Sequence, residues 1–149
     1  MTIKKIKIIT DDPNYLPTKG TPGSCGYDLT ATDVEIDHHN RCVIYSTGIK
    51  IQLPKGYAGL ILPRSSIYKV GAFTLSNSVG LIDTDYQGEI KVIFKCVSDE
   101  WDINDIPYEL GNRIAQLLVT PIVDVDWEPV EKFTKRTKRG TKGHGSTGE

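Results

Sequence analysis

Residues 80–90 hold the side chains of this 149-residue sequence that are best suited by type and spacing to chemistry. Two carboxylates, Asp83 and Asp85, and one aromatic ring, Tyr86, stand between apolar residues. A carboxylate can orient a water molecule as a general base. A solvated acidic turn is the simpler interpretation, but a surface turn favours small polar residues where this chain has Tyr86. We therefore take residues 80–90 as the candidate reactive segment.

The same segment predicts a β-hairpin. Residues 80–82 form an ingoing strand, and residues 89–96 form an outgoing strand in which Ile90 begins a row of alternate apolar side chains. Gly88 is expected to supply a positive φ angle at the turn. The carboxylates would then lie at the tip of the hairpin.

Frequent turn signals divide the rest of the chain into short apolar runs. Runs of about five residues are typical of strands in sandwiches, jelly rolls and barrels. The predicted strands are residues 3–9, 27–32, 34–36, 41–45, 49–53, 57–62, 113–119 and 123–130. Only residues 65–70 favour a helical turn. The sequence thus predicts one all-β domain in residues 1–133 and, in residues 134–149, a basic, glycine-rich arm that is flexible by itself.

Charge and cysteine content disfavour several classes of protein. The net charge is −1, although Lys and Arg concentrate in the last eighteen residues, so we expect no dedicated nucleic-acid binder. Three widely spaced cysteines without a CxxC pair favour a reducing compartment over disulfides or zinc. Residues 3–9 lack the apolar core of a signal peptide, and no window approaches the ~20 apolar residues of a membrane span. We expect a cytoplasmic protein, or one inside the host cell if viral, that is not secreted.

Five segments, in this order, resemble the five motifs of the deoxyuridine triphosphate nucleotidohydrolases, the dUTPase family. They are GSCGYDL at 23–29, PRSS at 63–66, NSVGLIDTDYQG at 77–88, GNRIAQ at 111–116 and RGTKGHGSTG at 139–148. One such motif would be weak evidence. Five in order, at the spacing of the family, are specific.

The resemblance implies a jelly-roll-like, distorted β-barrel of short strands with at most one short helix. It implies hydrolysis of dUTP to dUMP and pyrophosphate, by Mg²⁺-assisted attack of water at the α-phosphorus. That reaction limits uracil in DNA and supplies dUMP for dTMP synthesis. It also implies a homotrimer whose sites each take the first, second and fourth motifs from one subunit, the third from another and the arm from the last.

In the third motif the resemblance assigns both the base pocket and the catalytic residue. The Asn77 amide and the backbone around Gly80 and Ile82 would pair with the uracil edge. Tyr86 would stack beneath the deoxyribose and leave no room for a 2′-hydroxyl. Asp83 would orient the attacking water.

The phosphates would be bound by other segments. Arg64, Ser65 and Ser66 combine a guanidinium, two hydroxyls and N–H groups at the start of a turn, a natural anion site. Gln116 would donate to a phosphate. Arg113 suits a ligand contact and a structural ion pair equally well.

The metal and the arm complete the implied site. Asp28 would hold Mg²⁺ through water, with the substrate phosphates as its other ligands. The arm residues expected to close over the ligand are Arg139, His144, Gly145, Ser146 and Thr147. His144 stands where the family usually has phenylalanine, and its imidazole can still lie on a base.

Three alternatives stay open. A dCTP deaminase-like enzyme would share the β fold and perform different chemistry. A dUTP-gated regulatory or interaction protein would use residues 97–110, a connection longer than is usual in the family, as a docking loop. Nucleic-acid binding by the basic arm would be sensitive to salt.

Overall fold

The computed structural model describes residues 5–102 and 104–141, in which nearly all regular structure is β. The strands of this described part are β1 Lys7–Thr10, β2 Tyr27–Thr30, β3 Asp33–Asp37, β4 Cys42–Ser46, β5 Ile49–Gln52, β6 Tyr57–Pro63, β7 Phe73–Leu75, β8 Gly80–Ile82, β9 Lys91–Cys96 and β10 Arg113–Pro121. Two 3-10 helices lie at Pro13–Tyr15 and Ser65–Lys69. The all-β prediction is confirmed, and the expected helical turn near residue 65 is present. The first 3-10 helix and β7 were not predicted.

Three antiparallel sheets make up the fold. One has the strand order β2-β10-β6-β8, a second has the order β3-β4-β9-β7, and a two-stranded sheet joins β1 to β5. Every strand pair is antiparallel. Because neighbours in the sheets are often distant in sequence, the fold depends on long-range pairing, as in a jelly roll.

Alternation along the strands builds the core. In β9, Val92, Phe94 and Cys96 are buried while Lys91 and Lys95 are exposed, as the pleat of a strand requires. This confirms the row of alternate apolar residues predicted from the sequence. The largest fully buried side chains elsewhere are Leu29, Val43, Tyr45, Thr47, Ile49, Ile90 and Ile114.

The predicted hairpin at residues 80–90 is wrong. β8 pairs with β6 in one sheet, whereas β9 pairs with β4 and β7 in the other. The intervening turn therefore crosses between sheets, and its far end is tied to the turn after β4. There Thr47 Oγ1 donates to the Ile90 carbonyl at 2.6 Å, Gly48 N–H donates to Glu89 Oε1 at 2.8 Å, and Ile90 N–H donates to the Ile49 carbonyl at 3.0 Å.

The predicted strand at residues 123–130 is also absent. Beyond β10, the Ile122 N–H donates to the Gly56 carbonyl at 2.9 Å, and residues 122–141 contain no helix or strand. Val123, Trp127 and Phe133 are 84–88% exposed. The pattern had the alternation of a strand, but a strand needs a neighbour for its backbone groups, and no described part of this chain provides one.

No helix in the described residues is both long and apolar enough to cross a bilayer.

Candidate active site

A buried carboxylate organises one end of the four-stranded sheet that contains β10. Asp28 on β2 is opposite Gln116 on β10, and Gln116 is opposite Leu62 on β6. Asp28 is only 5% exposed. Its Oδ2 lies 3.2 Å from Arg113 Nη1, and its Oδ1 lies 3.3 Å from Gln116 Nε2 and 3.5 Å from Arg64 Nε. The Asp28 carboxylate therefore orients Arg64 and Gln116, which the sequence analysis assigned to phosphate binding, and Arg113, for which it gave two interpretations.

Close packing keeps this group in position. A Cβ at Gly26 would lie 3.1 Å from Gln116 Cβ, so the glycine lets β2 approach the glutamine. Arg64 Nη1 donates to the Arg113 carbonyl at 3.1 Å, which anchors the guanidinium at a second point. Arg113 forms an ion pair with Asp28. Of the two interpretations open for Arg113, the structure favours the ion pair.

Arg64 leads directly into the 3-10 helix Ser65–Lys69. The first turn of this helix has no side-chain cap, so its N–H groups are available to another acceptor. Ser65 is exposed and Ser66 is half-buried. Arg64, Ser65, Ser66 and Gln116 thus form one cluster, which we call the anion cluster.

The second cluster begins at the turn between β7 and β8. Ser78 has φ +59° and its N–H donates to the Leu75 carbonyl at 3.0 Å, which closes the turn. A Cβ at Gly80 would lie 3.0 Å from Ile61 Cβ and 3.4 Å from Asn77 Nδ2. The glycine lets β8 pack closely against Ile61, with the Asn77 amide beside it.

Asp83 and Tyr86 share a cleft of about 210 Å³ that is also lined by Ile82, Glu89 and Lys91. The Tyr86 N–H donates to the Asp83 carbonyl at 3.3 Å, and the Tyr86 hydroxyl donates to the Glu89 carbonyl at 2.8 Å. Asp83 is exposed, so water can reach its carboxylate. We call this group the turn cluster.

Gly88 serves the turn cluster in a way the sequence did not indicate. Gly88 does not have a positive φ angle, so the expectation that it supplies one at the turn was wrong. A Cβ built at this position would overlap the hydroxyl end of the Tyr86 ring. The glycine is needed because the ring lies against its backbone.

Asp83 is separated from the anion cluster of its own chain. Ile82, which precedes Asp83, is opposite Gly59, whereas Arg64 follows Pro63 at the other end of β6. Four residue steps of strand lie between Gly59 and Pro63, which is about 13 Å. The carboxylate of one copy therefore does not reach the anion cluster of the same copy.

The remaining predicted positions lie in the C-terminal segment. Arg139 is exposed beside a turn in which the Gly140 N–H donates to Thr137 Oγ1 at 3.1 Å. Four predicted arm residues, His144, Gly145, Ser146 and Thr147, lie outside the described residues.

The described residues contain no group of three or more His, Cys, Asp or Glu side chains that could hold a metal. Asp28 is a single carboxylate whose two oxygens both accept from N–H donors. A carboxylate can still accept further bonds, so a water-mediated contact fits this donor set and an all-protein cage does not.

Sequence reasoning missed two contributors to these clusters. Glu89 supplies the carbonyl that holds the Tyr86 hydroxyl. Tyr108, in the connection without an assigned role, has a buried hydroxyl near Ser66 and Arg64. Neither residue type is a motif signal; Glu89 acts through its backbone, and only the fold brings Tyr108 to the site.

Comparisons with known proteins find relatives over most of the chain. A family model described as dUTPase matches residues 12–148. The sequence is 43% identical over 150 residues to a deoxyuridine 5′-triphosphate nucleotidohydrolase of Hydrogenobaculum, covering 99% of this chain and 97% of the relative. It is 39% identical over 138 residues to the same enzyme of Wigglesworthia glossinidia brevipalpis, covering 91% and 88%.

A similar fold occurs in solved structures. A dUTPase of Staphylococcus bacteriophage 80alpha with dUpNHpp has a TM-score of 0.81 at 22% identity, covering 99% of this chain and 100% of that one. A dUTPase from phage phi11 of S. aureus, described with a structural Mg(II) ion, has a TM-score of 0.70 at 19% identity, covering 87% and 99%.

Proposed function

The chain belongs to the dUTPase family, and from that premise we propose that it hydrolyses dUTP to dUMP and pyrophosphate at sites shared between subunits. It is a nucleotide hydrolase, like its curated relatives. The observation that carries the chemistry is that one cleft holds both the exposed Asp83 carboxylate and the Tyr86 ring.

Asp83 is the catalytic residue of this proposal. Its carboxylate accepts a hydrogen bond from a water molecule and takes up the proton as that water attacks the α-phosphorus. The bond to the leaving pyrophosphate breaks as the new P–O bond forms. The Tyr86 ring is held by its hydroxyl bond to Glu89, so it forms a fixed wall beneath the deoxyribose.

The edge of β8 supports a role in reading the base. β8 is the last strand of its sheet, so every second residue directs its backbone N–H and C=O away from β6. Gly80 and Ile82 belong to this strand, and the Asn77 amide lies over Gly80. Uracil presents alternating donors and acceptors on one edge, and such a backbone edge can match them.

The anion cluster supports triphosphate binding. The Arg64 guanidinium, the hydroxyls of Ser65 and Ser66, and the Gln116 amide would all donate to phosphate oxygens. Mg²⁺, when bound with the nucleotide, would neutralise phosphate charge and polarise the P–O bonds. Asp28 would contact its waters while holding the arginines in place.

The separation of Asp83 from the anion cluster supports sites shared between subunits, as in the homotrimer that the family resemblance implies. Because Asp83 and the anion cluster lie at least about 13 Å apart along β6, Asp83 of one subunit would complete the anion cluster of another. The exposed apolar side chains Val123, Trp127 and Phe133 support docking of residues 122–133 on a neighbouring subunit. The arm, including Arg139 and residues 144–147, would close over the phosphates.

In the cell this activity would limit uracil in DNA and supply dUMP for dTMP synthesis. The three free cysteines suit a reducing interior, which supports a cytoplasmic location.

Asp83→Asn tests the catalytic assignment, with Asp85→Asn as the matched control. Pyrophosphate release from dUTP should fall at least about 100-fold in the first variant, while binding of dUTP persists and the second variant stays near wild type. Wild-type protein should release pyrophosphate from dUTP far faster than from dCTP, dTTP or UTP. Full turnover by Asp83→Asn would overturn the assignment, and comparable rates on the four nucleotides would overturn the selectivity.

Complementation tests the sharing of sites. Asp83→Asn and Arg64→Ala subunits, each inactive alone, should regain activity when unfolded and refolded together, because some mixed sites contain both intact residues. Refolding either variant alone is the control. If both clusters served one chain, no mixture would recover activity.

A further inference from the structure

Tyr108 is held rigidly although it lies in a connection without regular structure. It is 8% exposed, and its ring packs against Phe94 at a centroid distance of 5.4 Å and against Tyr45 at 6.4 Å. The Tyr45 hydroxyl donates to the Tyr108 carbonyl at 2.6 Å and accepts from the Tyr108 N–H at 3.0 Å. Backbone and ring are both fixed, so the position of the Tyr108 hydroxyl is fixed as well.

Among the described residues, the Tyr108 hydroxyl is a buried side-chain polar group that has no hydrogen-bond partner. Buried hydroxyls are nearly always bonded, and each exception calls for an explanation. Its polar neighbours are the charged Arg64 guanidinium and the Ser66 hydroxyl, and both lie near enough to lower the pKa of Tyr108 against the effect of burial. Ser66 is therefore near enough to interact, although the Tyr108 hydroxyl forms no hydrogen bond in the structure.

Both neighbours belong to the anion cluster. Arg64 is tied to Asp28 at 3.5 Å and to the Arg113 carbonyl at 3.1 Å, so it cannot turn towards Tyr108 without losing these contacts. Ser66 makes no such second contact with the described residues, so its side chain can rotate. The pair that can form is thus Tyr108 with Ser66.

We propose that Tyr108 is a positioning residue for phosphate binding, because its hydroxyl donates to Ser66 Oγ and thereby directs the Ser66 O–H towards the triphosphate. A serine hydroxyl has one hydrogen and two lone pairs. When Tyr108 occupies a lone pair, the hydrogen of Ser66 is left for an outside acceptor, and the donated bond makes Ser66 a stronger donor. This inference rests on the proposed function and assigns a role to the 97–110 connection.

The protonation of Tyr108 agrees with the donor role. Burial raises the pKa of Tyr108, and this outweighs the opposing effects of Arg64 and Ser66. The phenol therefore keeps its proton at neutral pH and has it to donate.

A double-mutant cycle of Tyr108→Phe and Ser66→Ala tests this action of Tyr108 through Ser66, which we call the relay. Tyr108→Phe keeps the ring that packs against Phe94 and removes only the hydroxyl. The probes are a non-hydrolysable imido analogue of dUTP, and deoxyuridine, which carries no phosphate. Tyr68→Phe is the matched control, because Tyr68 follows the same serines on the 3-10 helix and is 77% exposed.

Tyr108→Phe should weaken binding of the dUTP analogue about three- to tenfold, the usual effect of one lost neutral hydrogen bond. The KM for dUTP should rise by a similar factor, and kcat should change little. Binding of deoxyuridine should stay constant. In the Ser66→Ala background, Tyr108→Phe should have no further effect, since Tyr108 acts through Ser66.

Three results would overturn the relay. Equal losses for the analogue and for deoxyuridine would indicate a general structural effect. Additive losses in the cycle would mean that Tyr108 does not act through Ser66. Unchanged binding with a raised melting temperature would mean that the hydroxyl is only an unpaired buried group. Absence of pyrophosphate release by wild-type protein would instead refute the proposed function, and the binding cycle would still report on the relay.

Discussion

Replacing Asp28 with asparagine separates its two possible roles. If the carboxylate serves only to hold metal-bound water, the metal-free protein should not depend on its charge. If it is also the counter-ion of Arg64 and Arg113, its neutralisation should destabilise the protein before any metal or nucleotide is added. Asparagine has nearly the same shape and keeps one oxygen acceptor, so the substitution isolates the charge.

The magnitude follows from the exposure of each partner. The Arg113 side chain is 52% exposed, so its pair contributes at the level of surface pairs, about 0.2–1 kcal/mol. The Arg64 side chain is 27% exposed and Asp28 is buried, so that contact is worth about 1–2 kcal/mol. Together these give about 2 kcal/mol of unfolding free energy. For a chain of this size the melting temperature should fall by about 4–8 °C.

The assay is thermal unfolding with a chelator and without nucleotide, at one fixed protein concentration, because assembly itself contributes to stability. Asp33→Asn is the matched control, since exposed Asp33 accepts from the Val34 N–H at 2.8 Å and asparagine can do the same. A melting temperature of Asp28→Asn within about 1 °C of wild type, with a weakened response of kcat to Mg²⁺, would refute the counter-ion role. If the melting temperature falls but the response of kcat to Mg²⁺ is unchanged, the water-mediated metal contact would instead be refuted.

Three further predictions follow from other contacts. Gly88→Ala should displace the Tyr86 ring and lower the preference for dUTP over UTP about tenfold, measured as the ratio of kcat/KM values. Burial raises the pKa of Tyr45 to about 12, so the folded phenol keeps a proton that the unfolded one loses above pH ~10. Stability should therefore fall as pH rises from about 10 to 12, and Tyr45→Phe should remove that part of the slope in denaturant unfolding. Trp127→Ser should shift sedimentation from the proposed trimer towards monomer without unfolding the β-sheets.

Each of these has a control and a contrary outcome. Gly20→Ala adds a methyl group with ordinary contacts and should keep the preference for dUTP over UTP. If Gly88→Ala also kept that preference, Tyr86 would not be the residue that distinguishes deoxyribose from ribose. An unchanged alkaline slope in Tyr45→Phe would assign the slope to other groups. Glu128→Ser should leave assembly intact, and an intact trimer in Trp127→Ser would argue against docking of residues 122–133.

Much of the fold could be predicted because strand alternation is a local property. Lys91 to Cys96 alternate in sequence, and the pleat converts that alternation directly into a buried and an exposed face. The motif segments also lie where chemistry needs them, with Arg64 at the start of a helical turn and Asp83 in an exposed cleft. The catalytic and binding roles of these residues stay predictions until the variants are measured.

Pairing between distant strands could not be predicted from the same patterns. The alternation of β8 and β9 suits a hairpin as well as it suits membership of two sheets, and the choice depends on which distant edges offer partners. The same limit explains the absent strand at residues 123–130, whose pattern is correct but whose partner does not lie in the described chain.

The sequence by itself determined most of the strand segments and which side chains can do chemistry, since both depend on residue type and near spacing. Only the tertiary structure decided that Asp28 holds Arg64, Arg113 and Gln116 together, that this group lies about 13 Å of strand from Asp83, and that the Tyr108 hydroxyl is buried beside Ser66. These relations join residues far apart in the chain, and such contacts form only when packing of the whole core offsets the entropy of closing long loops.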